Sequence, residues 1–229
     1  AWPGTDDFND SVSDPAKWAA ADSGHGGAQL IEAGGRLEYR VSTPDGDYDE
    51  ALRHWLATVP TNSEAFEAIV DVHNGVVGNN ASIGLTVTSL QDARDSLYLE
   101  LYRVGPDGSG FLAALRSNVH GGDEVPPNTL PSGHGVTDGA VRLVFDPVTK
   151  IFTTYYDTTG SADGYQWQVY GSFGVGASGG GATRNSPWLL GNNAGFKISV
   201  SAFSEGLSIP AGQVFVDHFR VQAPSAARQ

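Results

Sequence analysis

The feature that most constrains the fold is an alternation of apolar and polar residues that recurs along almost the whole chain. Two of the clearest runs have apolar members at Ile83, Leu85, Val87 and at Leu97, Leu99, Leu101. Because successive side chains of a β-strand point to opposite faces, this period of two predicts strands with one buried face. No stretch of similar length repeats at the helical period, so the sequence predicts an all-β fold.

The composition agrees with many short strands joined by tight turns. The 229 residues include 30 Gly and 12 Pro, and 10% of them are aromatic. About a dozen strands separated by turn residues predict two packed antiparallel sheets. A sandwich of this length commonly forms one domain, which we expect to span residues 1–229, with a flexible C-terminal tail at 223–229.

Charge and residue usage exclude several classes of function. The 26 Asp and Glu against 13 Lys and Arg give a net charge of −13, which argues against nucleic-acid or anionic-membrane partners. No apolar run approaches the roughly 20 residues that span a bilayer. The absence of Cys excludes disulfides, zinc-thiolate sites and a Cys nucleophile. The chain starts at Ala1 and lacks Met, so we expect an exported protein, secreted or on the cell surface, whose leader has been removed.

The last predicted strand, near residues 212–221, contains an acidic residue within an apolar pattern. Its apolar members are Val214, Val216, Phe219 and Val221. Asp217 interrupts them, and a buried carboxylate must be paired, hydrogen-bonded or metal-bound, since an unpaired buried charge is very costly. The segment Thr5–Asp10 at the other end of the chain is the expected partner, because a last strand that pairs with the first ties down both termini.

The two ends of the chain also resemble a known superfamily. The run Asp7-Phe8-Asn9-Asp10 with Asp14-Pro15-Ala16-Lys17-Trp18 resembles the opening of concanavalin A-like (laminin-G-like) jelly rolls, and Val216-Asp217-His218-Phe219-Arg220-Val221 resembles their closing strand. The resemblance implies a two-sheet antiparallel jelly-roll sandwich. It also implies a structural calcium ion held by Asp217, by oxygens near Asp7 and by the carbonyl of Gly35. The alternative is an Asp217 that hydrogen-bonds a neighbouring strand or pairs with Arg220.

One face of a central strand carries candidate ligand-binding residues. Tyr98, Glu100 and Tyr102 alternate with the three leucines and so point away from the core. Aromatic rings stack on the CH faces of sugars, and carboxylates bind sugar hydroxyls. We expect Asp71, His73 and Arg116 to share this face if their strands are neighbours; Thr86 and Thr88 could share it on the same condition. The alternative is ordinary cross-strand pairing on an exposed sheet.

A catalytic role is less favoured by the sequence. The resemblance to laminarinase-type hydrolases implies a Glu-x-Asp-x-x-Glu run on one strand face, and this chain has no such run. We therefore predict a non-catalytic carbohydrate-binding or cell-surface module. Two alternatives stay open. One is a glycoside hydrolase or polysaccharide lyase with a cross-strand carboxylate pair, such as Asp71 with Glu100. The other is a structural subunit that self-associates into a surface layer or filament.

Overall fold

The computed structural model describes residues 4–20, 22–23, 27–77, 80–104, 108–117, 122–124, 135–177 and 181–225. Its strands in chain order are β1 (Thr5–Asp6), β2 (Asp22–Ser23), β3 (Ala28–Ala33), β4 (Arg36–Val41), β5 (Asp49–His54), β6 (Phe66–Asn74), β7 (Ala81–Ser89), β8 (Ser96–Val104), β9 (Gly108–Ser117), β10 (Gly122–Glu124), β11 (Asp138–Asp146), β12 (Ile151–Asp157), β13 (Gln168–Gly174), β14 (Arg184–Asn185), β15 (Phe196–Ser204) and β16 (Val214–Gln222). A 3₁₀ helix covers Gly160–Asp163.

The strands form two sheets. The nine-stranded sheet has the order β14-β13-β12-β11-β6-β16-β4-β3, with β1 also paired to β16, and the seven-stranded sheet has the order β10-β9-β8-β7-β15-β5-β2. All pairs are antiparallel except β13 with β14. This confirms the predicted all-β sandwich and the meeting of first and last strands. Within the described residues no helix has the length and apolarity required to cross a bilayer.

The core lies between the sheets and follows the alternation read from the sequence. Leu97, Leu99 and Leu101 of β8 are fully buried, and so are Ile83 and the other apolar members of β7. Facing them from the nine-stranded sheet are apolar side chains of β6, β11 and β16. Because burial of one large apolar side chain contributes about 1.5–3 kcal/mol, this continuous core dominates the stability of the fold.

The closing strand contains a β-bulge that explains its broken apolar pattern. Asp217 pairs with Asp71 of β6, whereas Arg220 pairs with Ile69, so β16 has one residue more than its partner between these pairs. His218 adopts a left-handed conformation with φ of 50°. An extra residue reverses which face the following side chains occupy. The predicted core residues on both sides of the bulge are therefore all buried, namely Val214, Val216, Phe219 and Val221.

A buried aspartate that the sequence reading did not single out anchors the N-terminal segment. One carboxylate oxygen of Asp6 accepts a hydrogen bond from the Phe8 amide at 3.0 Å. The other accepts one from Trp18 Nε1 at 2.8 Å and lies 3.6 Å from Lys17 Nζ. Because Trp18 packs on Phe219 of β16, with ring centroids 4.7 Å apart, these contacts fasten the chain's opening to its closing strand.

A buried ion pair fastens the C-terminal segment. Arg142 Nη2 lies 2.6 Å from Glu67 Oε2, and both side chains are almost completely buried. Gln222 Nε2 donates to Glu67 Oε1 at 2.7 Å, and the Ser225 hydroxyl donates to the same oxygen at 3.0 Å. Ser225, the third residue of the expected tail, thus contacts the sheet, whereas residues 226–229 lie outside the described residues and their flexibility stays a prediction.

Candidate functional site on the seven-stranded sheet

The outer face of the seven-stranded sheet forms a cleft of about 540 Å³. Its centre is fixed by cross-strand register, since residues that pair across antiparallel strands point to the same face. The pairs that cross the cleft are Ser82 with Tyr102, Gly84 with Glu100, Thr86 with Tyr98, Gly84 with Ser201 and Thr86 with Ser199. The predicted residues Tyr98, Glu100 and Tyr102 therefore lie along one side of this cleft, on β8.

Small residues make the floor of the cleft. Gly84 is required at its position, because a Cβ atom there would overlap the Leu99 carbonyl oxygen and the backbone of Glu100. Next to it the hydroxyls of Thr86 and Ser201 share a hydrogen bond of 2.6 Å. A glycine between hydroxyl-bearing residues leaves the sheet surface hollow and polar, while the larger side chains of neighbouring strands form the walls.

Aromatic and aliphatic side chains form the walls. Tyr98 and Tyr102 are half-buried on β8, and Phe203 is half-buried on β15. Tyr48 stacks on Phe203 with ring centroids 6.1 Å apart. The exposed side chain of Arg116, on β9, also lines the cleft, as the sequence reading expected. The site thus combines aromatic surfaces with hydrogen-bonding groups, which is the combination that sugar binding requires.

Glu100 is the titratable group at the centre of the cleft. Burial raises the pKa of Glu100 to about 7, and the Glu50 carboxylate adds to this effect. The Ser82 hydroxyl donates to Glu100 Oε2 at 2.9 Å, which opposes the increase. Glu100 can therefore both accept and donate protons near neutral pH, a property associated with general acids and with proton-sharing hydrogen bonds to ligands.

Further carboxylates of the cleft were missed by the sequence reading. The residues Asp49 and Glu50 looked like part of a solvated acidic loop, but they begin β5, and Glu50 lines the cleft. Glu205 lines it too, and Asn80 Nδ2 donates to Glu205 Oε2 at 2.6 Å. Burial, with Glu205 and Glu100 adding to it, raises the pKa of Tyr102. Glu50 and Leu52 share one face of β5, whereas Ala51 and Arg53 are buried on the other, so no alternation of apolar and polar residues marked this strand in the sequence.

The expectation that Asp71 and His73 share this face is wrong. Both lie on β6, which belongs to the nine-stranded sheet, so their side chains lie on the opposite side of the sandwich from the cleft. A catalytic pair of Asp71 with Glu100 is excluded for the same reason. Asp71 instead accepts hydrogen bonds from Tyr165 Oη at 2.9 Å and from Ser161. His73 Nδ1 lies 2.6 Å from Asp138 Oδ1.

The residues expected to hold calcium lie where β16 changes partners. Val216 pairs with Leu37 of β4, and Phe219 pairs with Asp6 of β1. β1 and β4 therefore follow each other along the edge of β16 that is not paired with β6, and Asp217 lies at the junction between them, near Asp7 and near Gly35, which precedes β4. Its carboxylate accepts a hydrogen bond from the His218 amide at 2.7 Å. The alternative partner, Arg220, lies over the ring of Tyr165.

The electrostatics of this region are unbalanced towards negative charge. Burial raises the pKa of Asp217, and the carboxylates of Asp71 and Asp7 add to the increase, while His218 opposes it. Among the described residues, no group of three or more His, Asp or Glu side chains is arranged to hold a metal ion. A cation here would therefore depend on main-chain oxygens in addition to Asp217, as the resemblance implied for Gly35.

Comparison with known proteins identifies the class of fold. No protein-family model and no curated protein matches the chain. Among solved structures, the chain matches the Emp46p carbohydrate recognition domain in its potassium-bound form, with a TM-score of 0.54 and 12% identity over 99% of this chain and 100% of that one. A glycosyl hydrolase family protein from Mycobacterium fortuitum gives 0.56 and 14%, over 96% and 99%.

The chain also matches a solved structure from work on the endo-acting O-glycanases that prominent members of the human gut microbiota express to initiate mucin breakdown. The match has a TM-score of 0.62 and 14% identity over 98% of this chain and 100% of that chain. These matches cover nearly the whole length of each chain. The chain therefore has the concanavalin A-like jelly-roll fold, as its two ends predicted. At such low identity the likeness establishes the fold alone.

Proposed function

We propose that this chain is a glycan-binding module whose ligand lies in the cleft of the seven-stranded sheet. The observation that carries the proposal is the arrangement of Tyr98 and Tyr102 along a hollow floor of glycine and hydroxyl-bearing residues. A sugar ring presents apolar CH faces and hydroxyl edges, and this cleft offers aromatic surfaces beside carboxylate and hydroxyl groups. That one matching structure is a carbohydrate recognition domain of the same fold supports the proposal.

Removing the tyrosine rings tests the binding proposal. Tyr98→Ala and Tyr102→Ala should each weaken glycan retention by on the order of 1 kcal/mol, since an aromatic contact contributes about 0.5–1.5 kcal/mol beyond the area it buries. Retention on a glycan array or affinity gel measures the effect. Tyr155→Ala, on β12 of the other sheet, is the matched control. The proposal fails if all three variants retain glycans equally, or if the parent protein retains none.

A hydrolase or lyase is the second candidate, favoured by the three carboxyl groups in the cleft. Glu100 has a pKa of about 7, raised by burial and by Glu50, so it can hold a proton at neutral pH. A neighbouring carboxylate that stays ionised would then complete an acid and base pair. Glu100→Gln separates the candidates: an enzyme loses turnover while it still binds glycan, whereas a binding module has no turnover to lose.

We also propose a structural calcium ion at the point where β16 changes partners. The residues there fit a hard cation, because the candidate donors, Asp217, Asp7 and Gly35, would supply only carboxylate and carbonyl oxygens, the ligands calcium prefers. The unbalanced negative charge around Asp217 supports the same assignment. When bound, the ion would hold β16 to the segments that flank β1 and β4 and would so stabilise the closure of the nine-stranded sheet.

Export is part of the proposal, and self-association is an alternative to it. The net charge of −13 favours solubility, which suits an exported module that meets its glycan ligands in the extracellular medium. The alternative of a self-assembling subunit has its own test. Trimming residues 1–5 or 223–229 should change the sedimentation profile of an assembling protein, whereas a monomeric module should sediment as before.

A further inference from the structure

The charged residues of the cleft are unevenly distributed along it. Phe203 pairs with Glu50 on one side and with Ser82 on the other, and Ser82 pairs with Tyr102, so these four residues form one cross-strand row. Glu205 follows two residues after Phe203, and Glu100 precedes Tyr102 by two. Three carboxylates therefore lie around the Tyr102 end of the cleft.

The other end of the cleft is different in charge. Arg116 pairs with Ser96, which is six residues from Tyr102 along β8. At the rise of an antiparallel strand this places Arg116 roughly 20 Å from the Tyr102 row. Among the described residues that line the cleft, Arg116 is the sole cation, against Glu50, Glu100 and Glu205. The cleft is thus long enough for several sugar residues and acidic at the Tyr102 end.

This distribution discriminates among classes of glycan. A uronic acid or sulfated sugar at the Tyr102 end would place like charges together in a partly desolvated site, which is unfavourable. A neutral sugar would donate hydroxyl hydrogen bonds to the carboxylates but would leave their negative charge unneutralised in a more desolvated site. A protonated amine would form charge-assisted hydrogen bonds with the same groups. It would also oppose the burial and the Glu50 charge that raise the pKa of Glu100.

From this we infer that the cleft prefers glycans containing amino sugars with unsubstituted, protonated amines, and that these amines lie at the Tyr102 end among Glu50, Glu100 and Glu205. The inference rests on the proposed glycan-binding function and names its ligand class. It assigns Glu50 and Glu205 as specificity-determining residues, while the two tyrosines supply contact that any sugar can use.

The test compares three ligands of equal length: β-linked glucosamine oligomers, the same oligomers with every amine acetylated, and a uronic acid oligomer. Binding is measured by calorimetry at several pH values on both sides of neutrality, because protonation of the amines is favoured at lower pH and ionisation of Glu100 at higher pH. The parent protein should bind the amino oligomer at least about tenfold more tightly than the acetylated one. Glu50→Gln and Glu205→Gln should each reduce that preference about threefold or more, whereas Tyr102→Ala should weaken both ligands alike.

The control variant is Glu64→Gln, because Glu64 is exposed in the loop before β6 and outside the cleft. It removes one negative charge from the protein, as Glu50→Gln does, so any general attraction of a cationic oligomer falls equally in the two variants. An equal loss of preference in both would overturn the inference. Equal affinity of the parent for amino and acetylated oligomers, or a preference for the uronic acid, would also overturn it while leaving glycan binding intact. Absence of binding to every glycan would overturn both proposals.

Discussion

Glu100 provides the sharpest test of whether the cleft is built for a ligand rather than for stability. In the folded protein burial raises the pKa of Glu100 from its usual 4.5 to about 7. The folded state therefore keeps this proton over a pH range in which the unfolded chain has released it. As pH rises through this range, the free energy of unfolding decreases, and above about pH 7 this group lowers it no further. This decrease is the penalty for ionising Glu100 in the folded protein. Glu100→Gln, which cannot ionise, should escape the penalty.

The magnitude follows from the two pKa values. At about 1.4 kcal/mol per pH unit, the interval from 4.5 to about 7 corresponds to roughly 3 kcal/mol. The side chain is partly exposed, and screening by solvent lowers the expected figure to about 1–3 kcal/mol. The free energy of unfolding of Glu100→Gln minus that of the parent should therefore increase by about 1–3 kcal/mol between pH 4.5 and pH 8.

Urea denaturation at a series of pH values measures this difference. The subtraction also removes the contribution of Glu32, whose pKa burial raises to about 7 as well. Glu64→Gln, the same substitution at an exposed position outside the cleft, is again the control. A Glu100→Gln difference that stays flat, or that favours the parent as pH rises, would refute the reasoning. It would mean that Glu100 is as well accommodated when ionised as when protonated.

Three further predictions concern stability and the proposed ion. A chelator should lower the melting temperature of the parent, since a ligand bound only to the native state stabilises it. Asp217→Asn should abolish this effect of the chelator on the melting temperature, whereas Asp47→Asn, in an exposed loop, should keep it. Identical melting curves of the parent with and without chelator would remove calcium from the proposal. Glu67→Gln should cost about 3–5 kcal/mol in urea denaturation, because it leaves Arg142 buried without its counter-charge, and a loss below 1 kcal/mol would contradict a dry ion pair. Removal of residues 223–229 should cost about 0.5–1.5 kcal/mol, since it deletes the hydrogen bond from Ser225 to Glu67, and an unchanged urea midpoint would show that the contact contributes nothing.

Much of the fold could be predicted from the sequence because the alternation of apolar residues carries it. The faces of β7 and β8 were predicted residue by residue, and the burial of Leu97, Leu99 and Leu101 confirms them. The assignment of strands to sheets could not be predicted in this way. Alternation shows which side of a strand is buried, but β6 and β8 both show it while lying in different sheets, and only their packing partners separate them.

The same limit explains which site residues were found. Tyr98, Glu100 and Tyr102 lie on one strand, so their common face followed from their spacing alone. The grouping of these residues with Asp71 and His73 depended on strand order, and it was wrong. Glu50 was missed because acidic residues beside a glycine-containing loop resemble a solvated turn. Only its pairing with Phe203 of β15 shows which face of the sheet Glu50 occupies.

Two carboxylates of the nine-stranded sheet, Glu67 and Asp71, are satisfied by their own chain, and Glu100 in the cleft differs from them. On the nine-stranded sheet, Glu67 receives donors from Arg142, Gln222 and Ser225, and Asp71 receives them from Ser161 and Tyr165. Carboxylates satisfied in this way by their own chain stabilise the native structure. In the cleft, Ser82 is the donor that the described residues supply to Glu100, and burial still raises the pKa of that carboxyl group to about 7. A partly buried carboxyl group that its own fold leaves short of donors costs stability in the empty protein. The cost is recovered when a ligand supplies the missing donors, so the position of Glu100 between two tyrosines argues for binding rather than for architecture.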